Sequence, residues 1–345
     1  MTRIVPLLAV LSLPVHAETQ GPPCTGTEDL LAIRGNWTTH ADVPGSGGAG
    51  RSRNATHQVA SRIDRLAQIF KAAYPEPRGI EAIWYRSLSA TPLVAGGPWA
   101  YSLNSLYKAW YCNQHLHQQL LGGETGTWAY AFVNHLAWFA DSPRDFEVGG
   151  RPVLVLTRRS GDFKGLPAYQ GIHNQDSNTG RRFSRTILVT RPGRSPLVPV
   201  TRKQFLEGYL AWAEAQTAKF RAGMEKSTLD PARKAETLRR FDDMQAKQEA
   251  PARAKLSAMP PGDAAEPAIV GPDGVFGFKD FSTDERGGRA LVQVDPAYVD
   301  RKLAPQAPQF VVVYWSWEKN VPSEAFHDEF ERGLDPSAVA ALLDH

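Results

Sequence analysis

The stretch Phe310-Val311-Val312-Val313-Tyr314-Trp315-Ser316-Trp317 constrains this chain most. It is apolar at nearly every position and rich in β-branched and aromatic residues, the pattern of a strand buried on both faces. Such a strand belongs in the middle of a sheet that is covered on both sides. The rest of the chain has to supply the neighbouring strands and the layers above and below.

The neighbours are legible upstream. Ile83-Trp84-Tyr85, Leu106 to Tyr111, Trp128 to Val133, Val153 to Leu156 and Ile187 to Val189 are short strand-like runs separated by turn residues. Arg191-Pro192-Gly193-Arg194 reads as a hairpin tip, because Pro-Gly fits the centre of a tight turn. Ala290 to Val294 is a second late strand, expected in the same sheet as 310–317.

Helical signals flank these strands. From Asn54 to Tyr74 the residues Val59, Ile63, Leu66, Ile69 and Phe70 recur at helical spacing, with Asn54 as N-cap and Pro75 as stop. Thr201 and Gln204 form a capping box that opens a helix, and Asp230-Pro231 restarts a second, which Pro251 ends or kinks. Glu324, Asp328 and Glu329 fall in a further helix, and a last short one is expected over 336–343. The fold class is α+β: an N-terminal helix and a central helical hairpin packed against a mainly antiparallel β-sheet. The expected organisation is a leader over 1–17, an irregular segment and linker over 18–53, and one α+β domain over 54–345. That domain contains the hairpin 201–258 and the late strands 290–317. The alternative divides it into 54–258 and 275–345, because 260–274 is linker-like.

Met1-Thr2-Arg3, the apolar run Ile4 to Val15 and the small Ala17 have the layout of a secretory signal peptide. The run is shorter than the roughly 20 residues that a lasting transmembrane helix needs. The expected location is therefore outside the cytoplasm, periplasmic or secreted. There the two cysteines, Cys24 and Cys112, are expected to form one disulfide. Nucleotide chemistry finds no footing. Gly45 to Ser52 copies the spacing of a phosphate loop, but Arg51 stands in the lysine position and no strand precedes it. The segment reads as linker, and no cofactor is implied.

Charge is unevenly spread. Residues 151–203 hold eleven Lys and Arg against two Asp, and residues 262–345 hold fifteen Asp and Glu against seven Lys and Arg. Either the two segments face each other or the basic one binds an anion. Nucleic acid is disfavoured, because no DNA-binding motif accompanies the charge.

Two groups of residues are candidates for function. Trp110, Trp128 and Tyr130, from an aromatic-rich stretch, would line a groove beside the basic residues Arg185 and Arg191. His115, His117, Glu124 and His135 form the histidine-rich neighbourhood; on a strand, His115 and His117 would share a face. Without the H-E-x-x-H spacing no metal site is assigned. The leading reading is a non-enzymatic binding or interaction protein of the cell envelope or exterior, with an anionic, carbohydrate or protein partner. The alternative is an exported hydrolase that uses the His115/His117/Glu124/His135 neighbourhood.

Overall fold

A computed structural model describes residues 20–26, 29–40, 53–88, 97–123, 125–143, 145–171, 176–177 and 180–344. The expected leader over 1–17, the Gly-rich stretch 44–50 and Glu124 lie outside the described residues, as does the side chain of Asn54. The class is α+β with large antiparallel sheets, in which the long strand Phe310–Glu318 is central. It pairs antiparallel with Trp128–Val133 on one side and Gly180–Thr190 on the other. Tyr101–Asn113, Ile80–Leu88, Leu166–Gln170 and Arg159–Phe163 extend the same eleven-stranded sheet.

The other late strand, Arg289–Val294, does not join it. It pairs with Leu154–Leu156, Leu197–Pro199 and Ile269–Val270 in a second, five-stranded sheet. The expectation of one continuous sheet is therefore corrected. Both late strands are largely apolar, the earlier one interrupted by Gln293, so their pattern demands burial without saying which sheet provides it. Arg191–Arg194 is likewise a turn between sheets and not a hairpin tip: Gly180–Thr190 lies in the first and Leu197–Pro199 in the second.

Burial shows four layers. Helices α1 (Arg53–Ala73), α5 (Val321–Gly333) and α6 (Pro336–Ala340) cover one face of the large sheet, while α2 (Arg202–Glu225) and α3 (Pro231–Ser257) cover the far face of the small one. Val311, Val313 and Trp315 point toward α1 and α5, where Phe70 meets Phe330 edge-on. Phe310 and Val312 point the other way, into a core shared with Leu156, Leu197 and Val292 of the small sheet. The α4 turn (Pro261–Ala264) interrupts the expected linker.

Thr201 caps α2 through the predicted reciprocal bonds with Gln204, and Asp230 caps α3. Pro251 does not end α3, which continues to Ser257. Phe205, Leu206 and Tyr209 of α2 seal the small sheet. Farther along the pair, Phe220 stacks on Phe241, and Arg221 meets Asp242 at 3.0 Å.

The basic and acidic segments pair with each other. Arg159 meets Asp284 (3.8 Å), Arg182 meets Glu318 (3.8 Å), Arg185 meets Glu331 (2.7 Å) and Arg202 meets Asp263 (3.7 Å). Cys24 and Cys112 form a disulfide. Where irregular chain was expected, Gln20–Pro23 forms an edge strand on Gln118–Leu121, and Trp37–Thr39 one beside Ile80–Leu88. By loop entropy a bridge closing 88 residues contributes about 4–5 kcal/mol at most.

Candidate functional site

Eleven strands present more surface than five can cover. The apolar cluster that joins the two sheets takes in Phe132, Leu188, Phe310 and Val312 of the large sheet. Beyond them, the same face changes character. Register places Tyr314 beside Tyr130 and Thr186, Ser316 beside Trp128 and Ser184, and Glu318 beside Arg182. The two-residue period of a strand thus carries Tyr314, Ser316 and Glu318 onto one surface with Trp128, Tyr130 and Asn104.

The turn after Trp128–Val133 completes this surface. Buried Asn134 anchors it: Nδ2 donates to the carbonyls of Trp99 (3.0 Å) and Ala307 (2.9 Å), and Oδ1 accepts from Gln309 N (2.8 Å). His135 Nδ1 accepts from Ala137 N at 2.9 Å. In the following turn, Phe139 N donates to Leu136 O and Trp138 sits at φ 60°. Positive φ at the third turn position is the place of glycine or asparagine; a bulky residue there costs on the order of 1–3 kcal/mol. Ring contacts offset that cost. Trp138 lies 4.5 Å from Tyr130, 4.8 Å from Tyr314, 5.2 Å from Phe132 and 5.8 Å from Trp128, centroid to centroid. Aromatic pairs contribute about 0.5–1.5 kcal/mol each.

Polar groups border the rings. The Arg182 guanidinium stands 4.8 Å over Trp128. Ser316 Oγ donates to Gly126 O at 2.8 Å. A Cβ on Gly126 would fall 2.4 Å from Glu318 Oε1 and 2.5 Å from Arg182 Nε, so those two flexible side chains would have to shift to admit one. Gly171 is as tight: its Cβ would fall 2.4 Å from the Tyr314 ring. Among the described residues the buried Thr186 hydroxyl has no hydrogen-bond partner. Burial pushes the Tyr314 phenol up to about 12, and it raises Tyr130 as well, so both stay protonated and able to donate at neutral pH. Trp128, Phe132, Trp138 and Arg182 are half-buried, whereas Tyr130, Tyr314, Ser316 and Asn104 are buried.

Of the residues expected to line a groove, Trp128 and Tyr130 belong to this surface. The others do not. Trp110 lies farther along Tyr101–Asn113, paired with Leu121. Arg185 is on the helix-covered face, where Nη1 donates to both Glu331 oxygens (2.7 and 2.8 Å). Glu331 also accepts from Trp315 Nε1 (3.0 Å) and lies 2.9 Å from His327 Nε2. Burial pushes the Glu331 carboxyl up, but His327, Arg185 and Trp315 outweigh it and hold it below the usual range. Arg191 is buried against Tyr298, between the sheets.

The histidine neighbourhood is dispersed. His115 and His117 sit in an exposed turn and not on a strand. His135 lies beyond Val133, which pairs with Tyr101 at the opposite end of Tyr101–Asn113. Twelve residues at about 3.3 Å each separate those ends by roughly 40 Å. Burial lowers the His135 pKa. Among the described residues no group of three or more His, Cys, Asp or Glu could hold a metal ion.

Comparison with family models, curated proteins and solved structures gives no match. The site therefore rests on its own geometry. Arg182, Trp138, Tyr314 and Asn104 are among the members that sequence reasoning did not select. The signal available for Tyr314 was the alternation Tyr314, Ser316, Glu318 at the end of an otherwise apolar strand.

Proposed function

We propose that this chain is an exported binding protein that holds a polyhydroxylated ligand of the carbohydrate type. The binding surface is the part of the large sheet where Trp128, Tyr130, Trp138 and Tyr314 gather beside Arg182. The observation that carries this reading is Trp138 held at φ 60°. A backbone cost is borne to bring a fourth ring onto a surface that already mixes ring faces with hydroxyl, amide and guanidinium groups. The half-buried rings of Trp128 and Trp138 stack on the C–H faces of a sugar and Arg182 meets its hydroxyls, while buried Tyr130, Tyr314 and Asn104 support those side chains.

Two observations support export. Residues 1–17 have the layout of a signal peptide, and the Cys24–Cys112 bridge is a bond that persists in oxidising compartments. Among the described residues no helix is long and apolar enough to cross a membrane. A hydrolase built on His115, His117 and His135 lacks the convergence it needs.

Titration of tryptophan fluorescence with a panel of neutral and acidic oligosaccharides tests the reading. Saturable binding that Trp128→Ala weakens at least tenfold is the expected result. A panel that gives no saturable change, or binding that Trp128→Ala leaves intact, overturns it.

A further inference from the structure

A cleft separates the two sheets near their borders. Leu166, Pro167 and Tyr169 come from the strand next to the last one of the large sheet, and Leu197 and Pro199 from the last strand of the small one. The space measures about 370 Å³. Phe139, Leu156 and Val292 are buried at its floor, while Pro167, Ser195 and Pro199 are exposed at its mouth, so it is open to solvent. Phe139 meets the Tyr169 ring edge-on at 4.9 Å.

The lining decides what can enter. Among the described residues no charged side chain belongs to it, and its polar side chains are those of Tyr169, Thr190 and Ser195. Arg159, across the strand pair from Tyr169, is held by Asp162 at 2.9 Å and Asp284 at 3.8 Å. Ser195 Oγ accepts from Leu197 N at 3.0 Å, and the Tyr169 and Thr190 hydroxyls meet no partner among the described residues. Burial raises the Tyr169 pKa, so its phenol stays protonated and able to donate. An ion entering the cleft would lose hydration with no counter-charge in return. Water finds few partners along the apolar walls, and an apolar occupant displaces it at little loss. An apolar cavity of about 150 Å³ holds benzene, so this one has room for roughly 15 non-hydrogen atoms.

We propose that this cleft binds a neutral, singly hydroxylated aliphatic molecule of medium length, with its chain between the two sheets and its hydroxyl among Tyr169, Thr190 and Ser195. The cleft shares no lining residue with the aromatic surface around Trp128 and stands or falls independently of it.

Isothermal titration of the full disulfide-bonded protein tests the proposal. The probes are decanol, decanoate, decyltrimethylammonium and butanol, each below its solubility limit or micelle concentration. Decanol is expected to bind one to one and to raise the melting temperature. Decanoate, the cation and butanol are each expected to bind at least tenfold more weakly. Ala290→Leu adds bulk to the half-buried lining and is expected to weaken decanol at least fivefold. Tyr169→Phe and Thr190→Val, which remove hydroxyls at nearly constant volume, are each expected to weaken it about threefold. Trp128→Ala is expected to bind decanol as the unaltered protein does. Absence of decanol binding overturns the proposal outright. Equal affinity for decanol and either ion removes the neutral site, and equal affinity for decanol and butanol removes the cleft. Decanol binding that a folded Ala290→Leu leaves intact, or that Trp128→Ala abolishes, places the ligand elsewhere. If Ala290→Leu does not fold, the probe series on the unaltered protein and the two hydroxyl variants decide.

Discussion

The two faces of the strand Phe310–Glu318 do different work. On one, Val311, Val313, Trp315 and Trp317 lie under helices, and the surroundings are apolar except where Glu331 gathers Arg185, Trp315 and His327. On the other, Phe310 and Val312 are sealed by the small sheet, then Tyr314, Ser316 and Glu318 pass onto the aromatic and polar surface. One strand therefore packs its odd residues under helices, while its later even ones, Tyr314 and Ser316 buried and Glu318 half-buried, carry the rings and polar groups of the candidate surface. Change on the helix side should cost stability, and change on the later even side should cost binding.

The largest expected effect is on the helix side. Trp315→Ala should lower unfolding free energy by about 3–5 kcal/mol in chemical denaturation, the usual cost of emptying a fully buried aromatic site. Next is Glu331→Gln, expected to cost about 2 kcal/mol at pH 7 through its charge-assisted bonds. The folded-state carboxyl is held low, so its contribution is full above the unfolded value of about 4.3 and is lost as pH falls through the folded value. The gap between the two proteins in urea should therefore narrow from pH 7 to pH 3; a constant gap would show that the charge is not its source. On the opposite face, Ser316→Ala removes the bond to Gly126 O and should cost about 1 kcal/mol. The smallest stability effect is expected for Arg182→Gln, about 0.5 kcal/mol, because cation–π contacts and half-exposed ion pairs contribute little. Its oligosaccharide binding should still fall several-fold. Similar stability losses for Trp315→Ala and Arg182→Gln would erase the contrast between the faces.

Much of the scaffold could be read in advance because its signals are local. The spacing of Val59, Ile63, Leu66 and Phe70, the Thr201–Gln204 box and the apolar run at 310 each depend on neighbours a few residues apart. The site depends on pairing between distant strands. Trp128, Tyr130 and Arg185 are all strand residues of the expected types, yet the register turns Arg185 toward α5 and brings Arg182 to Trp128. A shift of one residue decides which face a side chain occupies, and composition carries no record of it. The same limit applies to His115 and His135, near in sequence and at opposite ends of a long strand.

The Cys24–Cys112 bridge bears on the company this protein keeps with its own copies. Gln20–Pro23 pairs with Gln118–Leu121 and occupies that border of the large sheet, and Pro22 and Pro23 have no N–H with which to recruit another strand. The bridge fastens this proline-ended strip beside Tyr101–Asn113. Reducing it frees the strip to peel away and exposes Gln118–Leu121 as a template for strand addition. The disulfide thus holds a proline-ended strip along the sheet's border, the kind of cover that blunts an edge against strand addition.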